Sequence, residues 1–538
     1  MLDCTLQQFT SSARLVENRA FLILIAQRMA LLVVLPGLLL AWAVWKVLCT
    51  VWWKPLRIQR WLRKQGIHGP SYQLFFGNTR ETMSGFYEAS TPVVLVASQE
   101  LAKEILANKS GHFLKTPPPP SLRPLVTGTI SYDGEKWAVH RKILNPAFYF
   151  EQIKGMLPAF SFSSSEVLKK WVKLTAVNGS CELDVFAEMQ TLTEFVMSKM
   201  LESDCSRSRK SKLKGDSKLF GKCSCLDSGQ NLSFLYLSLF SYEFVGFFPT
   251  EESLRTEKLN QEATTILQDI TRQRMKEMEI DDARSGDLLT LLLEAYMIDN
   301  DPNEPESFKK VGISMDEVVE ECKGTTAVLL TWTMVVLAMH PEWQVRAREE
   351  VLQICGNEIP TFDVLNQLKM LSNGYDRNLS ARSRELDWVL NLRTQPLTHL
   401  NASLVDQLLK GLGMLGRLAS KKMKLGNFEI PAGLQLLLLT QLIHHDPELW
   451  GDDSKVFKPE RFSEGVANAS KHQVVFFPFS WGSRVCIGQN FSMVEAKVVL
   501  AMILQEFSFE LAPSYSHAPS PVLTLQPQHG AHLILHKI

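Results

Sequence analysis

Phe479-Ser480-Trp481-Gly482-Ser483-Arg484-Val485-Cys486-Ile487-Gly488 decides how the chain is read. The pattern is F-x-x-G-x-R-x-C-x-G, and an apolar helical run from Gln489 to Phe507 follows it. A cysteine at a helix start meets exposed N–H groups and the positive end of the helix dipole. Both favour the thiolate and lower its pKa. Gly482 and Gly488 let the backbone pass close to a flat group and take positive φ where needed. Arg484 supplies a cation for a carboxylate. A bare metal ion wants several protein ligands, and no second Cys or His stands near Cys486. One thiolate without co-ligands suits an iron already held by a porphyrin. The bland alternative is a buried, inert cysteine in a glycine-bounded loop. That alternative gives no reason for the phenylalanine, the arginine and the glycines around it.

The 538 residues are 45% hydrophobic, enough for a large core and for one large domain. Basic and acidic side chains balance at 57 each, which leaves no electrostatic footprint for nucleic acid. Cysteines stand at 4, 49, 181, 205, 223, 225, 322, 355 and 486. Their odd count and irregular spacing argue for a reducing compartment. Cys205, Cys223 and Cys225 lack a fourth ligand at zinc-site spacing.

The decapeptide around Cys486 resembles the heme-binding signature of cytochrome P450 monooxygenases. The wording from Lys424 to Ile538 is similar to the plant clan that contains secologanin synthase and triterpenoid oxidases. The resemblance implies a mainly α fold with small β-sheets (α+β), preceded by an N-terminal transmembrane helix. It implies heme b with Cys486 as the axial thiolate on iron. Phe479, Arg484 and Gly488 belong to the same cofactor-binding loop. Trp137 and Arg141, at i and i+4 on one helix face, match the family's W-x-x-x-R that holds a heme propionate. Read alone, the pair is better taken as a tryptophan packed on an arginine stem. The implied reaction is monooxygenation of an apolar small molecule of terpenoid type. Dioxygen is the co-substrate, and a membrane-bound NADPH–cytochrome reductase supplies the electrons.

The N-terminus carries a membrane candidate. Residues 1–28 form an extension, and 29–53 are apolar over about 20 residues, the length of a bilayer span. Lys46 sits near the end of the run, where it can snorkel, and Trp52 and Trp53 fall where an interfacial belt would be. Lys54, Arg57, Arg60, Arg63 and Lys64 follow without an acid. That bias places the bulk of the chain in the cytosol, and the resemblance implies a single-pass anchor in the endoplasmic reticulum membrane. Residues 54–70 read as a basic linker ending in Ile67-His68-Gly69-Pro70, and 71–538 as the heme domain.

Within that domain Thr91–Ala97 reads as a strand and Ser98–Asn108 as a helix. A short helix runs from Asp133 to Pro146, and a helical stretch starts at Cys181–Val185. Residues 203–241 are atypical for the family. Their basic run Arg207–Lys214 reads as a solvated loop. Ser314-Met315-Asp316-Glu317 is a capping box for a helix ending at His340, before Pro341. In the family this helix carries A-G-x-[D/E]-T, whose acid and alcohol organise water for proton delivery. Here Gly324-Thr325-Thr326 keeps the glycine and threonines but not the acid. About eight residues before them are missing, which shortens a helix by about 12 Å. The resemblance assigns Thr325 and Thr326 as the catalytic pair. The other reading of Thr325 is a helical threonine bonded to its own backbone.

Glu342–Cys355 reads as the next helix, stopped by Gly356. Residues 372–420 are then foreign to the family and lack its E-x-x-R, which leaves the downstream Arg461 without its usual counter-ion. Glu252–Arg255 fits those letters but lies far too early. Gly411–Gly416 spells G-x-G-x-x-G without the βαβ unit a dinucleotide site requires. His444-His445 looks metal-like, but adjacent histidines on a helix do not converge on one ion. Ile430–Gly433 reads as a turn between strands. Val522–Leu525 with His532–Leu535 reads as a closing hairpin. The absences support an alternative: a catalytically dead or misfolded heme-protein variant, or an anchored heme binder without turnover.

Overall fold

A computed structural model describes residues 48–67, 93–117, 128–201, 325–368, 415–521 without 455 and 473, and 525–538, with scattered positions elsewhere. These fall into two units, residues 1–78 and 79–538.

In the first unit a π-helical turn, Cys49–Trp53, leads into α1, Lys54–Arg63. Pro55 sits in the first turn, where its missing N–H is no loss. Pro55, Ile58 and Leu62 are buried, while Arg57, Arg60 and Arg63 are exposed. The basic stretch is therefore helical as far as Arg63, and residues 68–70 lie outside the described residues. Among the described residues no helix is long and apolar enough to cross a membrane, and part of 29–53 lies outside them.

The second unit begins with β1 (Val93–Val96), α2 (Gln99–Ala107) and β2 (Phe113–Lys115). Then come α3 (Gly134–Leu144), α4 (Phe150–Gly155), α5 (Leu157–Thr175), β3 (Ser180–Asp184) and α6 (Val185–Leu201). After residue 325 follow α7 (Thr325–Met339), α8 (Pro341–Cys355) and α9 (Phe362–Leu365). The strands β4 (Leu415–Ala419), β5 (Met423–Leu425), β6 (Phe428–Ile430) and β7 (Gln435–Leu438) precede α10 (Thr440–His444) and α11 (Pro447–Trp450). The chain closes with α12 (Gln489–Glu506), β8 (Phe507–Leu511), β9 (Pro519–Pro521), β10 (Leu525–Pro527) and β11 (His532–Lys537).

Helices build the core. α7 has no charged side chain, and Thr326 to Ala338 are buried throughout. A helix apolar on every side must be surrounded, and α7 packs on α6, α8, α12 and β8. Gln344 ties α8 to the sheet. Its side chain donates to the Phe509 carbonyl at 2.8 Å and accepts from the Phe509 N–H at 3.0 Å. Pro341 opens α8 and Gly356, at φ +60, closes it, as the sequence predicts.

One sheet has the order β1-β7-β4-β2, with β1 and β7 parallel and the other pairs antiparallel. The second is antiparallel, β3-β11-β8. It corrects two expectations. Cys181–Asp184 is a strand paired with β11, and the helix starts at Val185. Asp184 makes that switch by accepting from the N–H groups of Phe186, at 3.1 Å, and Ala531, at 2.7 Å. The closing segment is not a hairpin of 522–525 with 532–535. β10 pairs with β9, while β11 is the middle strand between β3 and β8. The β5–β6 hairpin and the Gly433 turn, at φ +78, occur where the sequence places them.

Candidate active site

The loop before α12 is fixed by backbone contacts. The Cys486 N–H donates to the Phe479 carbonyl at 2.9 Å, and the Ser480 N–H donates to the Phe477 carbonyl at 3.0 Å. Gly482 has φ +75, and a Cβ there would lie 2.3 Å from the Leu106 carbonyl oxygen at the end of α2. Only glycine satisfies both the dihedral and the approach. Gly482→Ala is therefore expected to lower stability by about 3 kcal/mol, read from chemical unfolding curves. Gly488 differs: its φ of −84° is open to any residue, and it caps α12. Cys486 is exposed, in no disulfide, two residues before that cap.

Around the loop lies a cluster of guanidinium groups. Arg484 donates to the Tyr132 carbonyl at 2.8 Å and pairs with the Asp133 carboxylate. Its guanidinium carbon lies 3.9 Å from the centre of the Trp137 ring. Asp133, just before α3, also accepts the Lys115 N–H at 2.7 Å. One turn beyond Trp137, Arg141 donates from Nε to Asn145 at 2.9 Å. The third arginine is Arg417 on β4, only 2% exposed. It donates from Nη1 to the Gly416 carbonyl at 2.8 Å, and its buried Nη2 has no hydrogen-bond partner among the described residues.

The electrostatics of this cluster are one-sided. Burial pulls Arg417 down to about 10; Arg484 pushes the same way, and Asp133 opposes. Burial also lowers Arg484, against Asp133 and with help from Arg141. Arg484 thus faces repulsion from Arg141, and Arg417 from Arg484, while the Asp133 carboxylate offsets both Arg417 and Arg484. Desolvated cations with a free N–H call for an anion. A flat ligand bearing two carboxylates, with its iron within reach of Cys486, fits this set. Sequence reasoning missed Arg417 and Asp133. Arg417 shares one face of the strand with Leu415 and Ala419, the period-2 placement that sets it on the buried side.

The candidate pair on α7 lies alongside the helix that follows Cys486. Thr326, 2% exposed, has its hydroxyl 2.8 Å from that of Ser492 on α12. The buried Glu495, one turn further on, also hydrogen-bonds Thr326. Thr325 is the first residue of α7, and its side chain is outside the described residues, as are residues 314–324.

Arg461 does not lack partners, contrary to the sequence expectation. It donates to the carbonyls of Trp450, at 2.7 Å, and Asp453, at 3.1 Å, and it pairs with the Asp453 carboxylate. Carbonyls replace the missing glutamate because an arginine fork can bond several acceptors at once. The buried His444 is neutral, with its pKa pushed down to about 3 by burial. Its Nε2 accepts the Phe477 N–H at 3.2 Å. Among the described residues no group of His, Cys, Asp and Glu could hold a metal ion by itself. Cys205, Cys223 and Cys225 lie outside them.

A family model, Cytochrome P450, matches residues 52–373 and 411–534. The break falls inside the 372–420 stretch, whereas 203–241 is matched without interruption. Cytochrome P450 CYP72A616 of Paris polyphylla is 38% identical over 554 residues, covering 94% of this chain and 98% of the relative. The 11-oxo-beta-amyrin 30-oxidase of Glycyrrhiza uralensis is 37% identical over 556 residues, covering 95% and 98%. Secologanin synthase 1 of Catharanthus roseus is 35% identical over 559 residues, again covering 95% and 98%.

Proposed function

Since this chain belongs to the cytochrome P450 monooxygenase family, we propose that it oxidises an apolar terpenoid at a heme b held by Cys486. The observation that carries the reading is the cluster of the buried Arg417 with the half-buried Arg141 and Arg484 on the loop of the exposed Cys486 thiol, in which Asp133 pairs with Arg484. The names of the relatives in Glycyrrhiza and Catharanthus supply the terpenoid class.

The heme, when bound, supplies activation of dioxygen, and a thiolate ligand favours cleavage of the O–O bond. The chain's own residues do the rest. Cys486 gives the sulfur ligand from a loop locked by its N–H bond to Phe479. Arg417 offers its unpartnered Nη2, and Arg484 its guanidinium, to the propionates. Trp137 stacks against Arg484 and holds it in place. Arg141 adds positive potential from α3, and Thr325 at the start of α7 serves the dioxygen face. An NADPH–cytochrome reductase donates the electrons, and residues 29–53 anchor the chain in the endoplasmic reticulum membrane with the heme domain in the cytosol.

The test is to supply the purified chain with reductase, NADPH and isotopically labelled dioxygen, using a panel of pentacyclic triterpenoids and monoterpenoid glycosides. One labelled oxygen atom in a terpenoid product is the expected result. Oxidation of another apolar class with no terpenoid product would overturn the substrate assignment.

A further inference from the structure

Asp133 stands at the N-cap of α3 and does not cap it. Its backbone has the extended dihedrals of a capping residue, φ −131 and ψ 169, yet its side chain bonds no N–H of the first turn. Aspartate is favoured at such a position because its oxygen can accept one of those N–H groups. Here both oxygens are engaged elsewhere. Oδ2 accepts the Lys115 N–H at the end of β2 at 2.7 Å, and Oδ1 pairs with Nη2 of Arg484 in the Cys486 loop. Gly134, the first residue of α3, has φ +63, which glycine reaches at little cost, so this uncapped entry is written into the sequence as Asp-Gly.

Arg484 is gripped on three sides. Its Nη1 donates to the Tyr132 carbonyl at 2.8 Å, its Nη2 meets Asp133, and its guanidinium carbon lies 3.9 Å from the centre of the Trp137 ring. The turn into α3 is thus a socket for one side chain of the loop. The Arg484 and Asp133 side chains are only 7% and 22% exposed, so solvent screens the pair far less than a surface ion pair. Burial disfavours the Arg484 charge, and Asp133 offsets that cost. A helix start that forgoes its cap to hold a cation of another segment breaks a local rule, and such breaks gather at functional sites.

We infer that Asp133 is a positioning residue for Arg484: its carboxylate holds the guanidinium against Trp137, so that the rest of the fork meets a heme propionate in one orientation. The inference rests on the heme-thiolate reading. Asp133 acts through Arg484 and not by touching the heme. Its negative charge also trims the positive potential that Arg141, Arg417 and Arg484 build together.

The experiment uses the full chain loaded with heme, as wild type, Asp133→Asn, Asp133→Ser and Asp133→Glu. Two quantities are read: the rate at which heme passes to a heme-free globin acceptor, and the reduction potential from a spectroelectrochemical titration. Asn and Ser cap helices as well as Asp does. If Asp133 only started α3, both variants would leave both quantities unmoved. The inference predicts heme loss about tenfold faster in each, the scale seen when a group supporting a metal site is removed. It also predicts a shift of the potential to more positive values, because removing a negative charge favours the reduced iron. Glutamate keeps the charge and should bring the potential back toward the wild type. Unchanged rate and potential in Asp133→Asn and Asp133→Ser would overturn the inference, as would a glutamate variant shifted as far as the asparagine one. If the serine variant does not fold, the asparagine and glutamate variants still decide. A wild-type chain that takes up no heme instead sinks the heme-thiolate reading. The grip on Arg484 is then read from chemical unfolding of the heme-free chain as Asp133→Asn, Arg484→Leu and the double variant. A double loss no larger than the greater single loss supports the grip, and additive losses overturn it.

Discussion

Cys486→Ser removes the thiolate signature and lowers turnover by on the order of a hundredfold or more. The argument is one of ligand count. Among the described residues no other His, Cys, Asp or Glu group could take over as metal site. Disturbing residues that merely support a metal ligand already costs about 10- to 100-fold in affinity or activity, and removal of the ligand itself exceeds that. The fold should survive, because Cys486 is exposed and the loop is held by backbone bonds and by Gly482 against Leu106. Circular dichroism of the variant should match the wild type, while its reduced carbon monoxide complex shows no thiolate-type band. A serine variant with undiminished turnover would remove Cys486 from the site.

Arg417→Leu is expected to have opposite effects on the free and heme-loaded protein. In the free protein the buried guanidinium is destabilising: a pKa drawn from 12.5 to about 10 corresponds to about 3 kcal/mol at neutral pH. Leucine relieves that penalty and the repulsion with Arg484, at the loss of one bond to the Gly416 carbonyl. Unfolding of the heme-free variant should therefore need as much denaturant as the wild type, or more. In the heme-loaded protein the same change removes a cation from the propionate site, and heme affinity should fall about 10- to 100-fold. Arg417→Lys keeps the charge but loses the planar fork and should fall between the two. Parallel losses in both states would mean that Arg417 is a packing residue and not a heme contact.

The parts of the fold visible in the sequence are those governed by local chemistry. Ser98 caps α2 by accepting the Leu101 N–H at 3.3 Å, and Pro341 and Gly356 bracket α8. Val93–Val96 is β-branched enough to be read as a strand unaided. The Cys486 loop and the Trp137–Arg141 spacing stand out in the sequence because they occupy consecutive or i, i+4 positions, but the stacking of Trp137 on Arg484 is not visible there. What escaped reading depends on distant partners. Cys181–Asp184 is a strand only because β11 comes alongside. Arg417 looked like part of a foreign stretch, and only the return of β4 between β2 and β7 carries it to Arg484. Arg461, expected to be stranded, finds backbone carbonyls that no pattern of side chains reveals. Glu495 reads as one polar residue on an apolar helix until α7 lies against it.

The heme-thiolate site is tested most directly by the absorption spectrum of the full chain, loaded with heme, reduced and exposed to carbon monoxide. The account predicts a strongly red-shifted Soret band of thiolate type, carried by the wild type and lost in Cys486→Ser. A chain that takes up no heme, or a band without thiolate character, would contradict it.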